Sequence, residues 1–327
     1  MTGSFARGEP SPATANPRVT IGMPVRNGEA FIRAGIDALL GQTFRDLVLV
    51  ISDNGSTDAT RAICEQAARE DPRIVYQRLE RNIGLHGNFA RLIDFAQGPY
   101  FMWACHDDWW DPAYVERMVA ILDGRPHVVL AGSNAASFDQ LGVRHHVFDN
   151  AAVYGHPGAT AARVRRFLAE PPGNGHATMM YGLMRSAAAQ GIGYAPPGAI
   201  HDADRGYYAM DLLFLLRLLL EGEFHVEPDV LYCRRDVRWS REQWAEHDQA
   251  WRDRDRVAAT MRTVRAAHGY FADVRAILRA SRLEADQRQA LVRATYREEL
   301  EFHPRALGRL AAGTRRRLVR RFDRSPA

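Results

Sequence analysis

The sequence predicts an α/β fold built on a mostly parallel sheet flanked by helices, with a helical C-terminal appendix. Three observations carry this. Short apolar runs rich in Val and Ile alternate from Val19 with longer amphipathic stretches. Gly, Asn, Asp or Pro punctuates each change of period. From Trp239 onward the pattern is helical and charged.

Strands are expected over 19–25, 47–52, 74–79, 100–105 and 128–133, because near-continuous apolar runs of this length fit strands buried on both faces. Between the first two, residues 29–40 place Ile32, Ile36, Leu39 and Leu40 on one helical face. A second helix is expected over 58–69, with Ser56 and Thr57 as its N-caps. Beyond the fifth strand, residues 155–169 read as a helix, 171–176 as a loop and 177–184 as a strand. An apolar helix over 207–222 and a short strand over 230–233 follow. The expected organisation is a disordered leader over 1–17, one large domain over 18–238 and a helical region over 239–327. Within the domain, 18–139 form one half and 140–238 the other.

The 327 residues are 46% hydrophobic and 25% charged, an ordinary globular balance that excludes a largely disordered chain. The formal net charge of +4 is mild and gives no nucleic-acid signature. Every basic residue other than histidine is arginine, so arginine number alone is weak evidence of a site. Cys64, Cys105 and Cys233 are far apart, which suggests neither a disulfide framework nor a zinc cluster and fits a reducing, cytoplasmic setting. The leader lacks a signal-peptide core, and the apolar run 212–220 is far shorter than the roughly 20 residues of a membrane span.

In open parallel sheets ligands bind beyond the carboxyl ends of the strands, so the residues after each strand matter most. After the first strand come Arg26, Asn27 and Gly28; after the second, Asp53, Asn54, Gly55 and Ser56. Taken singly these are common turn and capping residues. The fourth strand leads into Cys105, His106, Asp107, Asp108, Trp109 and Trp110. Adjacent carboxylates repel unless a cation neutralises them, and Mg²⁺ or Mn²⁺ takes oxygen ligands together with phosphates. Helix capping explains the pair less well, because Asp111 already fills that position before Pro112.

These strings, with Gln42-Thr43-Phe44 and Arg81-Asn82-Ile83-Gly84 in the same order and spacing, resemble glycosyltransferase family 2. The likeness is close from Pro17 to Asp139 and weaker to Arg235. It implies a GT-A type, Rossmann-like fold, with 18–139 as donor half and 140–238 as acceptor half. It also implies single displacement, with inversion, of one sugar from a nucleotide-diphosphate donor onto an acceptor hydroxyl. Pro24, Val25 and Asn27 then line the base pocket, Asp53 and Asn54 contact base and ribose, and Gly84 and Asn88 pass close to the donor. Asp107 lies near the ribose or donor sugar, and Asp108 is the metal ligand for Mn²⁺ or Mg²⁺. Asn54 stands where the family often has aspartate.

The resemblance places the acceptor's general base at Asp211, although Met210 stands where an acidic neighbour is usual. A helix-dipole role for Asp211 and rival carboxylates at Asp202 and Asp204 are the alternatives. Arg234, Arg235 and Arg238 are candidates for a phosphate-binding lid, Arg235 foremost. Trp109 and Trp110 are candidates for stacking on a sugar, against the commoner fate of core packing. Arg315 to Arg321 suggest a basic helix at the inner face of a membrane, or a solvated tail. The acceptor is a glycan, a lipid-linked precursor or a small molecule. Competing functions are a nucleotide-sugar-binding scaffold without turnover and a sugar-phosphate nucleotidyltransferase; no Gly-rich phosphate loop follows the first strand, which disfavours the latter.

Overall fold

The computed structural model describes residues 16–139, 142–170, 176–194, 210–236 and 256–301. The expectations placed on residues 1–15, on Asp202 and Asp204, on Arg238 and on Arg315 to Arg321 lie outside them. The chain divides into two compact units, one of Met1–Pro157, Gly173–Tyr194 and Glu221–Val237, the other of the remaining segments.

The first unit holds the sheet. Strands β1 (Val19–Val25), β2 (Leu47–Asp53), β3 (Ile74–Arg78) and β4 (Tyr100–Trp103) lie in the order β3-β2-β1-β4, all parallel. Every residue of β1, β2 and β4 is buried, which is why these strands read as unbroken apolar runs. Helices α1 (Ile32–Leu40) and α2 (Thr60–Glu70) connect the parallel strands. Ile32, Ile36 and Leu39 of α1 are buried in one core with Ile21, Met23 and Leu49 of the sheet. Each such side chain contributes about 1.5–3 kcal/mol by leaving water. Helix α2 is not capped by Ser56 or Thr57: Thr60 N–H donates to Asp58 Oδ1 at 3.0 Å, and the Ser56 hydroxyl is used elsewhere.

Beyond β4 the sheet becomes mixed. The remaining strands are β5 (Trp109–Trp110), β6 (Val128–Phe138), β7 (Arg144–Phe148), β8 (Leu183–Arg185) and β9 (Glu223–Arg235), and the order continues β4-β8-β6-β9-β5. Residues 177–184 do not form the expected strand. His176–Tyr181 is a 3₁₀ helix, and β8 begins only after Gly182, where an added Cβ would lie 2.7 Å from the Ala131 carbonyl oxygen. Strands β6 and β9 outrun their predicted ends because they pair in parallel as far as Phe138 with Arg235. Glu227, Pro228 and Asp229 disguise β9 as a loop, but its register shifts around them, and a bulge tolerates a proline that has no N–H to donate.

Helices α3 (Leu85–Ile93), α4 (Tyr114–Gly124), α5 (Asn150–Tyr154) and α7 (Ser186–Ile192) complete this unit. The helix expected over 155–169 forms but starts late: Pro157 and Gly158, the latter at φ +137°, separate the short α5 from α6 (Thr160–Ala169), which belongs to the second unit.

In the second unit, α8 (Met210–Glu221) buries Leu212 through Leu216 and is apolar nearly all round. A helix over Arg256–Ala280 and another over 285–301 are joined by Glu299, whose carboxylate meets Arg275 Nη1 and His268 Nδ1 at 2.5 Å each. Among the described residues no helix is long and apolar enough to cross a membrane.

Candidate active site

Parallel pairing with Val25 opposite Asp53 sets the turns after β1 and β2 side by side at the carboxyl edge. Pro24 and Val25 are themselves buried within β1. Asn27, at φ +53°, stitches the two turns together: its N–H donates to Ser56 Oγ at 2.9 Å, and its Oδ1 accepts from Thr57 N–H at 2.9 Å. Asparagine tolerates this left-handed conformation better than most residues. Gly28 N–H donates to Thr60 Oγ1 at 2.8 Å. Between Val25 and Asn27, the Arg26 Nε is buried and meets no hydrogen-bond acceptor among the described residues.

Asp53 is fully buried. Its Oδ1 accepts from Ser56 N–H at 2.8 Å and its Oδ2 from the Tyr76 hydroxyl at 2.6 Å, with Arg78 Nε at 3.8 Å. Burial, together with the Asp53 hydrogen bond and charge, pushes the Tyr76 phenol far up, so it stays a donor. The Asn54 amide donates to Asn82 Oδ1 at 2.8 Å and to the Gly84 carbonyl at 3.1 Å, and its Oδ1 accepts from Ile83 N–H at 2.8 Å. The residue that departs from the family's aspartate is therefore the clasp of the 82–84 loop. Gly84 turns that loop into α3 at φ +85°, beside open space. Asn88 is buried against β2, its Nδ2 donating to the Ser52 carbonyl at 2.9 Å and its Oδ1 accepting from the Ser52 hydroxyl. Asp53, Asn54 and Asn88 thus spend most of their polar atoms shaping the edge.

The turn after β4 brings the carboxylate pair to the same edge. Gly28 and Gly35 leave room for it: an added Cβ would lie 2.6 Å from the His106 ring and 2.4 Å from the His106 carbonyl oxygen, respectively. Asp108 is buried, with Oδ1 accepting from Arg235 N–H at 2.9 Å and Oδ2 from the Tyr232 hydroxyl at 2.5 Å. Burial first, then the Asp107 charge, pushes its carboxyl up to about 7 against these two donors. Burial lowers the His106 imidazole, and the Cys105 thiol lies well above its ordinary value for the same reason. The Asp107 side chain is 17% exposed, with the His106 ring 3.9 Å away.

Ligand atoms of Cys105, Asp107 and Asp108 lie within 4.8 Å of one another. Two adjacent carboxylates, one of them raised first by burial and then by the charge of the other, fit a hard divalent cation; the protonated thiol adds little to such a site. Arg235 closes the edge from β9, its Nε donating to the Asp107 carbonyl at 3.0 Å and its guanidinium lying 4.8 Å from the Phe31 ring centre. Arg234 instead pairs with Asp236 at 2.7 Å. The two tryptophans separate: Trp110 is buried and stacked on Tyr232 at 5.3 Å, while Trp109 is 45% exposed.

The structure therefore gathers Pro24, Val25, Asn27, Asp53, Asn54, Gly84, Asn88, Asp107, Asp108 and Arg235 in the first unit. Asp211 belongs to the second, in the first turn of α8, where it accepts from Leu212 N–H at 2.9 Å and burial raises its carboxyl. Tyr76 and Tyr232 were not singled out from sequence, and Asn82 stood only within the Arg81-Asn82-Ile83-Gly84 string, with no role of its own. The two tyrosines occupy ordinary strand positions, and only long-range pairing reveals them.

The family model described as Glycosyl transferase family 2 matches residues 20–190. The chain is 33% identical over 101 residues to the glycosyltransferase GlyA of Streptococcus pneumoniae, covering 31% of this chain and 14% of that protein. It is 30% identical over 131 residues to EpsE of Bacillus subtilis, also named as a glycosyltransferase, covering 40% and 47%. The chain thus spans less than half the length of these relatives. Among solved structures, residues 1–349 of S. aureus TarS superpose with a TM-score of 0.61 at 16% identity, covering 87% of this chain and 72% of that one. The same TarS fragment solved with UDP-GlcNAc gives the same TM-score. These likenesses bear out the expected fold. The family match spans just over half of the chain, and the chain belongs to glycosyl transferase family 2.

Proposed function

We propose that this member of glycosyl transferase family 2 moves a single sugar from a nucleotide-diphosphate donor to an acceptor hydroxyl, with inversion in one displacement. One observation carries the reading: the buried Asp108 and its neighbour Asp107 share a sheet edge with the stitched turns after β1 and β2. A buried carboxylate beside a second one, its pKa raised first by burial and then by that neighbour's charge, is costly to keep without a cationic ligand.

Asp108, with Asp107, would hold Mn²⁺ or Mg²⁺. Such an ion supplies charge neutralisation to the departing diphosphate. Around it, the backbone of Pro24, Val25 and Asn27 and the groups set by Asp53 and Asn54 bind the nucleoside, while Gly84 and Asn88 shape the loop beside it. Arg235 offers its remaining guanidinium N–H groups to phosphate oxygens. Asp211 takes the proton from the attacking hydroxyl; what supports this is its place in the first turn of α8 and a carboxyl shifted up toward the range of a proton acceptor. The acceptor is a glycan, a lipid-linked precursor or a small molecule.

The test needs no acceptor. Binding and slow hydrolysis of a panel of UDP-, GDP- and dTDP-sugars are measured with Mn²⁺, Mg²⁺ or EDTA, for the wild type and Asp108→Ala. Metal-dependent binding of one donor, lost in the variant, is the expected result. A folded protein that binds no donor with any metal would overturn the reading.

A further inference from the structure

We infer that Trp109 is a stacking platform for a pyranose ring at the reaction site, a role that rests on the glycosyl-transfer reading above. Strand alternation separates the faces of β5. Asp108 and Trp110 are both buried and both meet Tyr232, one through its hydroxyl and the other through its ring. Trp109, between them, is turned the opposite way. It pairs across the ladder with the half-exposed Cys233 and keeps 45% of its surface exposed.

An indole is a large apolar surface, and leaving nearly half of one in water forfeits burial free energy that its neighbour Trp110 collects in full. Its position supplies a reason. Trp109 directly follows the carboxylate pair as the first residue of β5, where the acidic turn ends. The site is otherwise lined by carboxylates and backbone amides, which suit phosphate and hydroxyl groups. Trp109 is the adjoining apolar surface, matched to the C–H face of a pyranose.

The ring belongs either to the donor sugar or to the acceptor, and the experiment separates them. Affinities of the wild type, Trp109→Ala and Trp109→Phe are measured for a free nucleoside diphosphate and for the matching nucleotide sugar. The Michaelis constant for pyranoside acceptors, drawn from a panel of tagged monosaccharides and disaccharides, is measured in parallel. Stacking of this kind predicts a loss of about tenfold in Trp109→Ala, largely restored in Trp109→Phe, with nucleoside diphosphate binding unchanged. A loss confined to the nucleotide sugar assigns the ring to the donor, and a loss confined to the acceptor constant assigns it to the acceptor. Both constants unchanged in folded Trp109→Ala, with nucleoside diphosphate still bound, would overturn the inference alone. A wild type that binds no nucleotide would instead sink the functional reading beneath it.

Discussion

The Tyr232 hydroxyl donates to Asp108 Oδ2 at 2.5 Å across 124 positions of sequence, and the same carboxylate accepts the Arg235 backbone N–H. Strand β9 is thereby fastened to the acidic turn after β4, and the carboxyl held there titrates near neutrality.

That titration has a stability consequence. The Asp108 carboxyl has an ordinary value of 3.8 in the unfolded chain and about 7 in the folded one. Below 3.8 it is neutral in both states and contributes no penalty. Between 3.8 and about 7 ionisation favours the unfolded chain, so stability falls as pH rises, and the penalty levels off above about 7. Without metal, Asp108→Asn should match the wild type near pH 3.5, melt progressively higher than it up to about pH 7, and keep that lead at pH 8. Thermal melts across this range check the prediction, and a gap that narrows as pH rises contradicts it. The same variant should lose Mn²⁺ binding.

Asn54→Asp restores the residue the family often carries, yet should destabilise this chain. The amide nitrogen faces two acceptors, Asn82 Oδ1 and the Gly84 carbonyl, so a carboxylate oxygen there would meet two oxygens instead. Leaving such groups unsatisfied costs about 1–3 kcal/mol. Urea denaturation should register that loss, and nucleotide affinity should fall with it as the 82–84 loop loosens.

Gly35 lies inside α1, where alanine ordinarily gains about 1 kcal/mol over glycine. Here the added Cβ would stand 2.4 Å from the His106 carbonyl oxygen, a backbone atom. Overpacking of this kind costs about 1–3 kcal/mol, so collision outweighs propensity. Gly35→Ala should lower the melting temperature and weaken Mn²⁺ binding by displacing the turn that carries Asp107 and Asp108. Gly124→Ala, at the end of α4 with no atom within 4 Å of the new Cβ, serves as the control and should be neutral or stabilising.

Asp211→Asn keeps size and polarity but cannot take a proton. If Asp211 is the general base, turnover should fall by about 10²–10⁴-fold while nucleotide-sugar affinity stays within about twofold. Isothermal titration beside single-turnover transfer separates the two effects. Transfer that continues at the wild-type rate returns Asp211 to the role of a helix-terminal carboxylate.

The sequence by itself determined the parallel half of the sheet and the acidic turn. Val19–Val25 and Leu47–Asp53 are buried on both faces, so their apolar runs carry the signal without reference to any partner. The spacing of Asp53, Gly84 and Asp107-Asp108 is local to the ends of consecutive βα units, and linear order reports it. Tertiary structure decided the rest. Strand β9 contains Glu227, Pro228 and Asp229 and becomes a strand only because β6 and β5 pair with it; the energy is in the ladder, not in the residues' own preferences. The partners of Asp53, Asn54 and Asp108 come from Tyr76, Asn82 and Tyr232, far away in sequence; the two tyrosines are silent in any local pattern, and the string that holds Asn82 does not say what it binds. Trp109 and Trp110 are the same residue type side by side, and sequence cannot choose between their fates. The sheet chooses, because successive residues of a strand face opposite ways and only one of them faces Tyr232.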